Sequence, residues 1–155
     1  MRGKKAPKRP MPTDPKYQST TIAKFINYIM QQGKKTIAQK IVYNCLDLLR
    51  EQTKQDPLGI FNKAIKRLTP NVEVRSRRVG GANYQIPYQV KGDRRLVLAF
   101  RWLIIATKKR KGQPMASRLK EEILAIDKGE GEALKFKANT ERMAEANRAF
   151  AHFAR

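Results

Sequence analysis

Histidine and cysteine are nearly absent from this chain of 155 residues, which has one of each, His152 and Cys45. A single cysteine excludes an internal disulfide, and this inventory leaves no histidine or cysteine cluster for a zinc site. Cys45 lies in an apolar-rich stretch at 41–46 and is predicted to be a small core residue. We therefore expect no metal, no cofactor and no catalytic residue.

The motifs that usually indicate an enzyme are also missing. Gly33-Lys34-Lys35-Thr36 resembles the end of a P-loop, but position 28, where that loop needs a glycine, is Tyr28. Glu121 and Glu122 are adjacent on a predicted helix, so we expect their side chains to diverge. An enzyme that acts on RNA is a rival hypothesis, and an absence of RNA cleavage or modification would argue against it.

Long apolar runs are lacking as well. No stretch of 18 apolar residues occurs, and no apolar segment of the secretory type follows the basic start. We expect no membrane partner, although a membrane surface is the rival to nucleic acid as a binding partner for so basic a chain.

Acidic residues are few, with 13 Asp and Glu against 34 Lys and Arg, and the net charge is +21. The 41% of hydrophobic residues suffices for one core in a chain of this length. A folded domain with this excess repels itself, and a polyanion relieves the repulsion. Nucleic acid is the commonest polyanion, because each neutralised phosphate releases a counterion and adds to affinity.

The charge is distributed unevenly. Residues 57–112 carry 14 basic and 2 acidic side chains, whereas residues 113–155 carry 8 and 7. Four prolines exclude a helix within residues 1–18, which we interpret as an extended basic arm that folds along phosphates on binding. A solvated tail that only aids solubility is the alternative. Residues 19–155 are predicted to form a single helical domain.

The predicted fold is mainly α, a bundle of about six helices with a protruding two-stranded β-hairpin and the extended basic arm. Thr20 or Thr21 is predicted to cap the first helix, which Gly33 ends. Apolar spacing, caps and proline positions place the other helices at about 35–52, 57–69, 93–109, from 114 onward, and 139–153. Residues 71–90 alternate with the period of a strand, and Gly80-Gly81 is predicted to be the hairpin turn.

The ribbon segment holds three arginines, Arg75, Arg77 and Arg78, within four residues, and Glu73 is the only acid from 58 to 92. The planar guanidinium donates two parallel hydrogen bonds to a phosphate, so RNA contact is predicted; solubility of an exposed hairpin is the alternative. Further basic pairs or clusters occur at Lys34, Lys35, Arg94, Arg95, Lys108, Lys109 and Arg110. Stabilisation of a helix C-terminus is a second explanation for the last three.

Several segments resemble one family over nearly the whole length. They are Asp14-Pro15-Lys16-Tyr17, Gly33-Lys34-Lys35, Ile41-Val42-Tyr43, Val72-Glu73-Val74-Arg75-Ser76-Arg77-Arg78-Val79-Gly80-Gly81, Tyr84-Gln85-Ile86-Pro87, Arg101-Trp102 and Arg142-Met143-Ala144-Glu145-Ala146-Asn147-Arg148-Ala149-Phe150-Ala151-His152. Through them the chain resembles bacterial-type small-subunit ribosomal protein seven, the universal uS7 family.

The resemblance implies a structural constituent of the small ribosomal subunit, cytoplasmic in the ribosome and monomeric there. It would be a primary ribosomal RNA-binding protein that nucleates the subunit head (the 3′ major domain) beside ribosomal proteins nine and eleven. By similarity, ribosomal RNA would contact Arg2, Lys4, Lys5, Lys8, Arg9, Lys34, Lys35, Arg75, Arg77, Arg78, Arg94, Arg95, Lys108, Lys109 and Arg110. Gly80, Gly81 and Arg142 would lie nearest the exit-site tRNA and the mRNA path.

The C-terminal part departs from the family pattern. Glu141 replaces a common histidine, the chain ends in Phe153-Ala154-Arg155 instead of Tyr-Arg-Trp, and Glu130 and Glu132 are acidic. A DNA-packaging or transcription-factor-like module is the remaining rival. It requires a helix with exposed base-reading side chains, whereas the best basic helix here is apolar along its middle.

Overall fold

The computed structural model describes residues 3, 6, 7 and 10–154. Its elements, in chain order, are α1 (Thr20–Ile29), α2 (Lys35–Thr53), α3 (Pro57–Leu68), β1 (Val72–Val79), β2 (Ala82–Gln89), α4 (Asp93–Lys109), α5 (Met115–Lys128), α6 (Glu132–Ala146) and a C-terminal 3₁₀ helix (Arg148–Ala154). The predicted mainly α fold with one two-stranded antiparallel hairpin is confirmed. The chain divides into two compact units, Met1–Lys40 and Ile41–Arg155. The predicted arm at 1–18 and domain at 19–155 stay predictions.

The first unit contains α1, whose N-terminus is capped by Ser19. The Ser19 hydroxyl accepts a hydrogen bond from the Ile22 amide at 3.4 Å, so the prediction that one of the two following threonines is the cap is wrong. The predicted end at Gly33 is also wrong, because α1 ends at Ile29. Gly33, at φ +72°, lies in the turn before α2, where a left-handed backbone conformation favours glycine.

In the second unit, α3 begins as its sequence predicts. The Asp56 carboxylate accepts hydrogen bonds from the amides of Leu58 at 3.2 Å and Gly59 at 2.9 Å, and Pro57 occupies the first helical position. Arg67, near the end of α3, donates through Nη1 to carbonyl oxygens in the last turn of α5. The last carbonyls of a helix lack the amides of a following turn, and Arg67 uses two of them to join α3 to α5.

Helix α4 contacts α3, α5 and α6 and provides much of the core of this unit. Its Leu98, Phe100 and Leu103 are buried. Helix α4 is not buried all round, because the apolar Ile105 is 45% exposed on the same side of the helix as the exposed Arg101. Three neighbouring helices therefore leave one stripe of α4 open to solvent.

The predicted last helix at 139–153 is wrong at both ends. Helix α6 begins at Glu132 and ends at Ala146, and the residues that follow form the 3₁₀ helix. The N-cap of α6 is Gly131, which has no side chain with which to cap the helix.

The start of α6 is determined by its contacts with α5. Gly129, at φ +92°, ends α5 in the left-handed conformation. The buried Glu122 carboxylate then accepts the Ala133 amide at 2.9 Å and so caps α6 from another helix. Gly131 permits this approach, since a Cβ there would lie 2.7 Å from Cγ1 of Ile126.

Strands β1 and β2 form the ribbon, an antiparallel pair in which Val72 lies opposite Gln89 and Val79 opposite Ala82. The two residues of the turn, Gly80 and Gly81, have φ values of +58° and +91°, so the predicted hairpin turn is confirmed. Helix α6 packs against both strands, and the 3₁₀ helix packs against β2.

Within the described part of the chain, no helix is both long and apolar enough to cross a bilayer. The same residues contain no group of three or more His, Cys, Asp or Glu side chains that could bind a metal ion.

Cys45 is 1% exposed in α2, which confirms its prediction as a core residue. Burial raises the pKa of its thiol from 9.0 to about 12, and the charge of Lys120 opposes the rise only in part. We expect native protein at about pH 8.5 to resist iodoacetamide and urea-unfolded protein to react fully, because the folded chain keeps the thiol protonated. The unfolded chain loses this proton first, so stability should fall above about pH 9. Rapid alkylation of the native protein, measured by mass spectrometry, would contradict the burial.

Candidate nucleic-acid interface

Strand β1 presents its arginines on both faces of the ribbon. Alternation along the strand places Arg75 and Arg77 on one face and Arg78 on the other. Arg78 shares its face with exposed polar residues of both strands, Ser76, Asn83 and Gln85. Arg78 makes no hydrogen bond or ion pair with any residue that the structure describes. This guanidinium is therefore available to an external anion.

At the ribbon base, the end of the ribbon beside the start of α4, two predicted RNA contacts converge on one carboxylate. Glu73 is 5% exposed, and its Oε1 accepts hydrogen bonds from Nε and Nη2 of Arg75. Its Oε2 accepts from Nε and Nη2 of Arg94, both at 3.0 Å. The side chains of Arg75 and Arg94 are nonetheless 56% and 42% exposed. The sequence showed Glu73 only as a lone acid, but its position two residues from Arg75 on one strand face was a signal for this pair.

Arg95 has an internal role at the ribbon base. Its Nε donates to the Pro70 carbonyl at 3.1 Å, and its Nη2 donates to Oδ1 of Asn71. These bonds join the first turn of α4 to the segment that enters β1. Arg95 is half-buried, so it is less accessible than its neighbour Arg94.

The other ribbon arginine, Arg77, contacts the C-terminal 3₁₀ helix. Its Nη1 donates to the Phe153 carbonyl at 2.9 Å. On the opposite strand, the ring of Tyr84 lies 4.9 Å from that of Phe150 and 6.1 Å from that of Phe153, measured between centroids. The sequence analysis did not identify these aromatic partners, and the spacing of the two phenylalanines, three residues apart, was the only signal for them. The 3₁₀ helix therefore holds one edge of the ribbon.

The far end of α4 combines free and bound cations. Lys108 is exposed, and the Lys109 ammonium lies 4.6 Å from the centroid of the Phe136 ring. Arg110 binds the fully buried Glu122 through Nε at 2.9 Å and Nη2 at 2.8 Å, and its Nη1 lies 3.4 Å from Glu121. The prediction that the two glutamates diverge is wrong, because both reach the same guanidinium.

Helix α4 separates two basic groups by a fixed length. Arg94 and Lys108 are 14 residues apart on one helix, which corresponds to about 20 Å along its axis. A rigid rod with cations at both ends can contact phosphates of two different RNA segments. The structure provides charge and geometry for binding polyanions.

The other predicted site residues are more dispersed. Lys34 and Lys35 are exposed at the turn into α2, in the first unit. Gly80 and Gly81 are exposed at the ribbon tip, and Arg142 is exposed on α6. The arm residues lie outside the described part of the chain: Arg2, Lys4, Lys5, Lys8 and Arg9.

Comparisons with known proteins give a consistent result. A family model described as Ribosomal protein S7p/S5e matches residues 1–148. The chain is 52% identical over 153 residues to small ribosomal subunit protein uS7 of Thermotoga maritima, covering 99% of each chain. It is 50% identical over 152 residues to uS7 of Acidithiobacillus ferrooxidans, covering 98% of this chain and 97% of the relative. For uS7 of Chloroflexus aggregans the identity is 48% over 148 residues, with 96% and 94% covered.

The contacts of Arg110 predict a structural role. Replacing Arg110 with Ala leaves the Glu122 carboxylate buried without its cation, so the free energy of unfolding should fall by about 3 kcal/mol. The control is Lys108→Ala, which removes one exposed charge and should change stability by less than about 0.5 kcal/mol. Urea denaturation followed by circular dichroism measures both. Equal, small effects would show that the ion pair does not stabilise the fold.

Proposed function

Because the chain belongs to the family of ribosomal protein S7p/S5e, structural and non-enzymatic proteins of the small ribosomal subunit, we propose that it is a primary ribosomal RNA-binding protein. In this role it binds the 3′ major domain of the small-subunit RNA and nucleates assembly of the subunit head. The observation that carries the proposal is the set of exposed cations on rigid elements: the ribbon arginines and both ends of α4.

The chemistry of binding is electrostatic and geometric. The ribbon carries three arginines and one acid, and that acid is buried. Each cation that meets a phosphate releases counterions, and this release provides affinity without reading a base. Paired RNA is recognised mostly through shape and backbone contacts, so cations at fixed spacing suit a folded RNA target.

The basic arm extends this surface in our proposal. The first 12 residues contain five basic side chains and no acid. A chain of this composition gains order only when its charges are neutralised, so it would follow a groove lined with phosphates. The folded domain at 19–155 would then fix the orientation of the arm.

The remaining partners are proposed by similarity. Gly80 and Gly81 at the ribbon tip, together with Arg142, would lie closest to the exit-site tRNA and the mRNA path. Ribosomal proteins nine and eleven would be neighbours. The protein would act as a monomer within the ribosome in the cytoplasm.

The arm predicts a specific salt dependence. Deleting residues 1–12 should leave the helical circular dichroism signal unchanged. It should flatten the slope of log affinity against log salt by as much as about four, if all five arm cations contact phosphate. Filter binding to whole small-subunit RNA, with duplex DNA as competitor, measures the slope and the preference for RNA. An unchanged slope would exclude contact between the arm and phosphate, and equal competition by DNA would contradict the proposed function.

The exposed position of Arg78 predicts how much its face of the ribbon contributes to RNA affinity. Arg78→Ala should weaken RNA binding about tenfold and reduce the slope of log affinity against log salt by about one. It should not change stability, because the Arg78 side chain makes no hydrogen bond or ion pair with the described residues. Lys128→Ala is the matched control, since it removes an exposed cation from the segment of nearly balanced charge. Affinities that fall equally in both variants would indicate a general charge effect instead of a ribbon contact.

A further inference from the structure

Glu73 is an unusual residue for its place in the chain. It lies on β1 in the most basic segment, yet it is 5% exposed. A carboxylate is seldom buried unless it is paired, and Glu73 is paired twice. Each of its two oxygens binds one guanidinium, Arg75 from the ribbon and Arg94 from α4.

The two arginines are bound through the same edge. Each presents Nε and Nη2 to Glu73, so its Nη1 group and the second hydrogen of Nη2 remain unused. Neither guanidinium makes another hydrogen bond with the described residues. The carbon at the centre of the Arg75 guanidinium also lies 5.2 Å from the centroid of the Tyr88 ring, which further restricts the side chain.

From this geometry we propose that Glu73 is a positioning residue, which orders Arg75 and Arg94 in advance as one binding site for RNA backbone phosphate. The inference rests on the proposed RNA-binding function. The three side chains together keep a charge of +1, so the site still attracts an anion. A long exposed arginine normally loses side-chain entropy when it binds a phosphate. Because Glu73 already orders Arg75 and Arg94 in the free protein, less entropy is lost on binding.

A positioning role for Glu73 predicts an effect of the opposite sign to that of simple electrostatics. Glu73→Gln removes a negative charge close to the bound phosphate, so charge alone predicts tighter binding. If Glu73 positions the arginines, its loss should weaken binding about fivefold or more, because RNA must then order two side chains. Filter binding of the full chain to whole small-subunit RNA decides between these outcomes. Glu51→Gln, at an exposed position on α2, is the control for charge and should leave affinity unchanged or slightly higher.

Further variants separate positioning from a general effect on the fold. In a chain that already carries Arg75→Ala and Arg94→Ala, the added change Glu73→Gln should not weaken binding, and the loss of charge should leave affinity unchanged or slightly higher. A loss of the same size in that background would mean that Glu73 acts through the fold and would overturn the inference. Circular dichroism tests whether each variant is folded. If Glu73→Gln does not fold, Glu73→Asp replaces it: the charge stays, but the shorter side chain cannot reach both guanidiniums, so affinity should still fall.

The outcomes for the two proposals are distinct. If the unaltered chain does not prefer ribosomal RNA to duplex DNA, the proposed function fails, and this inference fails with it. If the unaltered chain binds RNA but Glu73→Gln binds equally well or more tightly, only the positioning role of Glu73 is overturned.

Discussion

The shortage of carboxylates constrains how this protein holds its cations. With 13 acidic side chains for 34 basic ones, most cations cannot have a carboxylate of their own. The two most deeply buried glutamates are each used at a junction between elements. Glu73 joins the ribbon to the start of α4, and Glu122 joins α5 to Arg110, just beyond the end of α4, and to the first turn of α6. A buried carboxylate that lost its arginine would be left unpaired at a large cost, so these junctions are fixed strongly.

Helix α4 is thus held at both ends by ion pairs, and its two ends differ electrostatically. Lys108 and Lys109 lie in the last turn, where the helix dipole favours cations and would stabilise them without any ligand. Arg94 and Arg95 lie in the first turn, where the dipole disfavours them. Glu73 and the acceptors of Arg95 offset that disadvantage. The stability of α4 therefore does not explain Arg94, and the exposed edge of its guanidinium is the stronger indication of an external anion.

The sequence predicted the elements that have strong local signals. It failed where a residue distant in the sequence determines where an element begins. The ribbon, its turn at Gly80-Gly81 and the cap at Asp56 follow from alternation, positive φ and side-chain hydrogen bonds between near neighbours. The start of α6 depends on Glu122, eleven residues before the amide that it caps, and no local pattern shows this contact. In the candidate site, the positions of basic residues were readable from the sequence. The sequence did not show which cations are free and which are held by internal partners, because partners such as Glu73 and Arg94 are 21 residues apart.

This division matters for how a basic protein recognises folded RNA. A flexible lysine such as Lys108 contributes charge and salt dependence, and it accepts many phosphate positions. An arginine bound along one edge, as Arg75 and Arg94 are, has a defined direction for its unused donors. Phosphates satisfy such donors only at particular spacings and angles, so RNA of the wrong shape gains the charge attraction but loses the hydrogen bonds. In the proposed function, specificity for RNA shape would then arise from the few carboxylates that the chain retains, since they determine which cations are held in place.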